Sequence, residues 1–360
     1  MKMEQTLENI LKQFNIEVSI ESYGNGHIND TYIAECNPRY ILQRINQKVF
    51  RNPAQVMENI QAVTRHLRKK IVAAGGDPDR ETLNLIQTVD GAPYYKASET
   101  DYYRVYKFVE NAVSYDRVEN PDQFYQAAKA FGRFQNMLSD FPSEKLHETI
   151  VKFHDTRDRF EQLKKAVKED PMGRAASVQK EIEFAFAREK DTDVINEAMK
   201  SGAVPLRVTH NDTKLNNVLL DQKTGEGVCV IDLDTVMPGS MLFDYGDALR
   251  FGANHAAEDE KDLSQVYLDM ELYESFTKGF LEEMTDMTET EADLLPFSAK
   301  MMTYECGIRF LTDYLLGDTY FKCHYEGHNL DRARTQLKLV ADMEEKLPEM
   351  KKIVAKYIRA

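Results

Sequence analysis

Near residue 110 the chain changes its hydrophobic period, and that one switch limits it to a fold in two parts. Upstream, short runs of apolar and β-branched residues read as strands. Residues 31–36 and 40–45 flank Asn37-Pro38, a turn signal. Residues 83–89 and 92–96 bracket Asp90-Gly91, a strong hairpin signal, and 102–109 reads as one more strand. Leu7, Ile10, Leu11 and Phe14 mark an amphipathic first helix, and Val56, Ile60, Val63 and Leu67 mark a charged one that starts at Pro53. Downstream, helical spacing dominates over 122–139, 155–168, 177–200, 259–283, 290–316 and 330–358. One short β segment, 218–220 and 228–231 about a Lys223-Thr224-Gly225 turn, interrupts it. The expectation is an α+β chain. A small antiparallel sheet with one main helix forms an N-terminal lobe, 1–110, and a larger, mostly helical lobe spans 111–360. The total of 360 residues fits about two domains at ~150 each.

Composition removes several classes of function. Forty-six basic and 60 acidic residues leave a net charge of −14, which repels phosphate backbones, so nucleic acid is not an expected partner. No apolar run approaches the ~18–20 residues of a membrane helix. The opening residues carry no apolar signal region, and Cys36, Cys229, Cys306 and Cys323 form no C-x-x-C. A cytoplasmic protein with reduced thiols, needing no oligomeric partner, is expected. Cys323, His324 and His328 lack the second pair of ligands that zinc requires.

The chemistry concentrates in residues 209–217, Thr-His-Asn-Asp-Thr-Lys-Leu-Asn-Asn, which fit H-x-D-x-x-x-x-N through His210, Asp212 and Asn217. Fifteen residues past Asn217, at the end of the second hairpin strand, comes Ile231-Asp232-Leu233-Asp234. A hydroxyl attacking a phosphate needs a carboxylate to take its proton, the role of Asp212. Mg2+ wants hard oxygen ligands, which Asn217 and Asp232 offer, with the hairpin returning one to the other. Lys214 would offset charge on the transferring phosphoryl group. Alone, the pattern also describes a polar turn with Asp212 capping a helix; the later aspartates and the upstream strands favour the chemical reading. Upstream, Tyr23-Gly24-Asn25-Gly26-His27-Ile28-Asn29 keeps two glycines of G-x-G-x-x-G and carries Asn29 at the third; alone it reads as a hairpin turn, and ahead of the catalytic loop as a backbone cradle over phosphates. No G-x-x-x-x-G-K-[ST] occurs.

In this order the motifs resemble the aminoglycoside phosphotransferase and choline kinase group. Longer runs resemble its N-acetylhexosamine 1-kinases over nearly the whole chain. They include Arg39-Tyr40-Ile41-Leu42-Gln43, Val105-Tyr106-Lys107-Phe108, the stretch from Leu206 to Asn217, Met237-Pro238-Gly239-Ser240 and Glu305-Cys306-Gly307. The resemblance implies a protein-kinase-like two-lobe fold and ATP- and Mg2+-dependent phosphorylation of the anomeric hydroxyl of N-acetylglucosamine or N-acetylgalactosamine. It places His27 over the sugar, and Arg309 and Tyr320 on a late helix; their spacing of eleven residues is near three turns. The plain structural alternative pairs Arg309 with Asp313 at i,i+4.

It also implies nucleotide contacts at Gly24, Gly26, Asn29 and Gln43, with Phe108 and Glu110 where the lobes join. Kinases usually carry a cation on the third strand, paired to a helix glutamate. Here strand alternation puts Gln43 in that slot, turns Arg44 to the other face and leaves Glu58 as the helix partner. Either the strand slips by one or another residue handles the phosphates. Asp244 and Asp247 read as N-caps of the helical run at 248–250. The rivals are a related kinase acting on an amino alcohol, an aminoglycoside or another sugar, and a catalytically inactive nucleotide-binding scaffold. Intact Asp212, Asn217 and Asp232 argue against the last.

Overall fold

Leu7, Ile10, Leu11 and Phe14 are all buried, because α1 (Lys2–Leu11) and the short turn of helix after it lay them on one face of an antiparallel sheet. The computed structural model describes residues 2–24 and 28–358. In the sheet, β1 (Ile20–Ser22), β2 (Asp30–Ala34) and β3 (Tyr40–Arg44) lie side by side, and β6 (Tyr102–Lys107) flanks β3. Side chains alternate across a pleat, so register decides which face each residue serves. Leu42 and Val105 stand opposite one another and join the core under α1. Thr31, Gln43 and Arg104 form the next row and share the other face.

The Asp90-Gly91 turn forms, with the Thr88 N–H donating to the Ala92 carbonyl at 2.8 Å, but the expected hairpin does not. The flanking strands, β4 (Leu85–Ile86) and β5 (Tyr95–Lys96), pair with β6 rather than with each other. The edge of β6 offers six residues of unpaired backbone, which two short strands cover in succession. α2 (Pro53–Ala73) begins where expected, with the Asn52 side chain accepting from the Gln55 N–H and Pro53 in the first turn. After α3 (Pro78–Glu81), β7 (Ala112–Val113) joins β9 (Val218–Asp221) and β10 (Gly227–Val230) in a second small sheet.

Two compact units result: Met1–Ser114, Asp140–Val151 and Asn217–Pro238 make the first; Tyr115–Ser139, Lys152–Asn216 and Gly239–Ala360 make the second. In the second, α4 (Pro121–Met137), α5 (Thr156–Glu169), α6 (Gln179–Phe186) and α7 (Val194–Lys200) precede β8 (Arg207–Thr209). α8 (Met241–Gly252), α9 (Met270–Glu283), α10 (Glu289–Leu316) and α11 (His328–Ile358) follow. α10 packs against α5, α8 and α11, and α4 packs against α9. The approach of α8 to α10 is close enough that a Cβ on Gly246 would stand 2.5 Å from the Ser298 carbonyl oxygen.

Two helical expectations are corrected, and one helix stands outside the expected set. Residues 177–200 break at Glu189–Asp193, where tight helical turns replace the α-helix. The segment 259–283 turns helical only at Met270, because Asp269 caps that start and Asp262 caps a separate turn. α8 is buried on nearly every side, so no polar face betrays its period in the sequence. Among the described residues, no helix is long and apolar enough to cross a membrane.

Candidate active site

β8 is buried throughout, and Arg207 anchors it to Glu291 through two bonds of 2.6 and 2.8 Å. The loop that follows is hung on Asp244. Its carboxylate accepts the His210 N–H at 2.8 Å, the Asn211 N–H at 2.7 Å and the Gln135 amide, while its carbonyl accepts the Thr213 hydroxyl at 2.6 Å. Burial pushes the Asp244 carboxyl up, against the pull of His210 and the two backbone N–H groups. Ser240 is the actual cap of α8, so Asp244 lies inside the helix, and Asp247 pairs with Arg250 at 2.9 Å. Both expectations of N-capping are therefore corrected.

Asn211 adopts a left-handed backbone, φ 65°, next to the proposed base. Asparagine is among the few non-glycine residues that adopt this conformation readily. The Asp212 N–H donates to His210 Nδ1 at 3.3 Å. Lys214 Nζ lies 2.8 Å from Asp212 Oδ1, and that carboxylate holds the ammonium well above the ordinary lysine range. The two residues proposed for catalysis are thus brought together.

His154 approaches the same loop, its Nε2 3.4 Å from the Asn211 carbonyl oxygen. Its Nδ1 is 2.8 Å from Glu305 Oε1, and Thr156 donates to Glu305 Oε2 at 2.6 Å. Burial alone would raise the Glu305 carboxyl. The His154 ring, with Arg309 and the hydroxyl of Thr156, outweighs it and holds Glu305 below its ordinary value. One turn along α10, the half-buried Arg309 guanidinium rests over three rings, 5.3 Å from Phe153, 5.9 Å from Tyr320 and 5.6 Å from Phe321.

Tyr320 is not on the helix as expected. α10 ends at Leu316 because Gly317 takes a left-handed φ of 97°, which favours glycine. The return of Tyr320 toward Arg309 comes instead from Asp313, whose carboxylate accepts the N–H groups of Thr319, Tyr320 and Phe321 at 2.8 to 2.9 Å. Asp313 serves that loop and Asn329, and does not pair with Arg309.

In the first unit, β9 and β10 bring Asn217 and Asp232 close, with the Ile231 N–H donating to the Asn217 carbonyl at 2.9 Å. Asp232 has a left-handed backbone, φ 57°, and opens the turn that carries Asp234. The residues fit a magnesium ion arriving with a nucleotide. Two hard oxygen donors are what such a site draws from protein when phosphates and waters complete it. The buried Tyr106 hydroxyl has no hydrogen-bond partner among the described residues and lies in the field of Arg104, Asp234 and Asp232, a polar position left for a ligand or water. No group of three or more His, Cys, Asp and Glu suited to a metal exists among the described residues. His328 pairs with Asp259 at 3.1 Å.

The strand does not slip. Gln43 faces inward and Arg44 outward, where Arg44 pairs with Asp30 and Asp101. Glu58 is engaged by His147, 2.6 Å away, and meets no sheet cation. Asn29 is committed to Asp234 and to the Asn46 N–H, at 2.6 and 3.0 Å. The Phe108 N–H donates to the Arg39 carbonyl at 2.9 Å, and Arg39 covers the Phe108 ring while pairing with Glu110. Gly24 takes a φ of 71°, and the Tyr23 ring meets Phe108 edge-on. Gly26 and His27 lie outside the described residues. His154 and Arg104 have no motif to announce them, and Asp244 and Glu305 fall in runs that carry the family resemblance without any role in the site being read from them.

This architecture is that of a kinase-like α+β protein. It is similar to a microcompartment-associated aminopropanol kinase, 14% identical over 96% of this chain and 98% of that one, with a TM-score of 0.60. It is likewise similar to the spectinomycin phosphotransferase APH(9)-Ia solved with ADP and spectinomycin, at 12% identity, 96% and 98% coverage and a TM-score of 0.60. The choline kinase LicA of Streptococcus pneumoniae matches at 14% identity, 95% and 99% coverage and a TM-score of 0.56. The sequence matches the phosphotransferase enzyme family, APH, over residues 19–278, and the chain belongs to that family.

Proposed function

We propose that this protein is an ATP-dependent N-acetylhexosamine 1-kinase, with residues 1–110 as its nucleotide-binding lobe and 111–360 as its catalytic and acceptor-binding lobe. Asp212 takes the proton of the anomeric hydroxyl, which is more acidic than an ordinary alcohol and suits a carboxylate base. Lys214, already paired with Asp212, offsets negative charge as the phosphoryl group transfers. Asn217 and Asp232 would hold magnesium, which neutralises phosphate charge when bound. Asn29, Gln43 and the segment from Phe108 to Glu110 serve the nucleotide.

The observation that carries the choice of acceptor is Arg309. A guanidinium ringed by Phe153, Tyr320 and Phe321 sits one turn from Glu305, whose partner His154 reaches the loop of the proposed base. A cation there repels amino alcohols and aminoglycosides. It offers a neutral sugar planar donors for its hydroxyl and acetamido oxygens, beside aromatic faces for its C–H surface.

The test is a panel of free sugars, amino alcohols and aminoglycosides supplied with ATP and Mg2+ and read by ADP release. N-acetylglucosamine and N-acetylgalactosamine should turn over, and their 1-O-methyl glycosides should not. Turnover confined to cationic acceptors, or retained with the methyl glycosides, would defeat the assignment.

A further inference from the structure

Arg104, on β6, is 1% exposed, and a buried guanidinium persists only where its donors are matched. Its Nε and Nη2 donate to Gln43 Oε1 at 3.0 and 2.8 Å, and its Nη1 donates to Asp234. Gln43 is fixed in turn by donating to the Thr31 hydroxyl at 3.2 Å. The second oxygen of Asp234 accepts from Asn29 at 2.6 Å, and the field of Arg104 reaches Asp232. One line of side chains therefore crosses β2, β3 and β6, reaches the turn of the proposed metal ligand and returns to Asn29.

We propose that Arg104 is the cation missing from β3: with Asp234 as counter-ion and Gln43 as its orienting neighbour, it holds Asp232 ready for magnesium. The inference rests on the reading of Asn217 and Asp232 given above. It moves the cation from β3 to β6, and its carboxylate partner from α2 to the turn after β10. Because Arg104 is enclosed, it is a positioning residue and acts through Asp234. Buried ion pairs are in general weak contributors to stability against apolar pairs of similar size, so stability alone is a poor explanation for this one. Placement is a better one. The turn must keep Asp232 in a left-handed backbone, and a charged contact from Nη1, aimed by the grip of Nε and Nη2 on Gln43, fixes its direction where apolar packing would not.

The test compares the intact chain with R104M/D234L, R104K and Q43L. The first exchanges the ion pair for an apolar pair, the second keeps charge but loses the fork, and the third leaves the ion pair without its orienting acceptor. Calorimetry measures ATP affinity with Mg2+ and in EDTA, beside the melting temperature. R104M/D234L strands Gln43 Oε1 and Asn29 Nδ2, so it should fold with a lowered melting temperature and bind ATP in EDTA nearly as well, yet lose at least tenfold of the tightening that Mg2+ confers. R104K should fall between, and Q43L, which also removes a proposed nucleotide contact, should lose part of the Mg2+ tightening together with some ATP affinity in EDTA. Folded variants that respond to Mg2+ as the wild type does would overturn the inference alone. A wild type indifferent to Mg2+ would overturn the metal-site reading and the inference with it. Failure of all three variants to fold would make Arg104 a folding residue and also overturn the inference.

Discussion

Asp244→Asn tests whether one buried carboxylate sets the rate of a reaction in which it takes no direct part. Both carboxylate oxygens accept backbone N–H groups, Oδ1 from Asn211 and Oδ2 from His210, at 2.7 and 2.8 Å. Asparagine keeps one acceptor and turns an NH2 toward the other N–H, so one buried donor loses its partner. That omission costs about 1–3 kcal/mol. At ~2–4 °C per kcal/mol for a domain of about 200 residues, the melting temperature should fall by ~2–12 °C. The loop that loses its anchor carries Asp212, and a displacement of ~1 Å in a reacting group can cost ~10²-fold in rate. Turnover should therefore fall about 10²-fold while both KM values stay near the wild type. Asp244→Ala removes both acceptor oxygens, strands His210, Asn211 and Gln135 together, and should roughly triple the loss of stability. Scanning calorimetry and initial rates of ADP release on the same preparations decide it. A variant that melts lower but turns over normally would show that Asp244 supports the fold and not the base; one unchanged in both would refute the hydrogen-bond argument itself.

Asp212→Asn should keep nucleotide binding by calorimetry and lose ~10²–10⁴ of turnover, so a loss under about tenfold would sink the base assignment. Asp232→Ala should weaken Mg2+-dependent nucleotide binding; unchanged affinity with retained activity would leave Asp232 as a strand-end residue. Arg309→Ala should raise the sugar KM roughly five- to 150-fold and leave that of ATP alone, whereas parallel changes with a lower melting point would make Arg309 structural. Folding lowers the Glu305 pKa, so its contribution is present above its ordinary value of 4.5 and lost as pH falls through the folded value. Glu305→Gln should accordingly flatten the acid limb of melting temperature against pH, and an unchanged limb would contradict that linkage.

The features legible in the amino-acid sequence are the local ones. α2 and α4 announce themselves through an apolar stripe, α2 also through Pro53 at its start, whereas α10 is buried on most sides and is legible mainly by its length. The motif at 210–217 places Asp212, the proposed base, and Lys214 side by side because they share one loop. The hidden features depend on distant partners. The guanidinium of Arg104 lies beside Gln43 only because β6 pairs with β3 in one register. Asp244 reads as a cap because nothing local reveals that its helix starts at Met241 and is buried all round. Helical spacing alone brings Tyr320 near Arg309, and in the fold it comes near through the Asp313 loop.

That loop separates the backbone of residues 319–321 from the identities of their side chains. Three N–H groups converge on one carboxylate, and none of those bonds involves the Tyr320 phenol or the Phe321 ring. Exchanging Tyr320 leaves the clasp intact, so the preference of the proposed acceptor site is open to retuning one side chain at a time, with the scaffold that presents it held constant by Asp313.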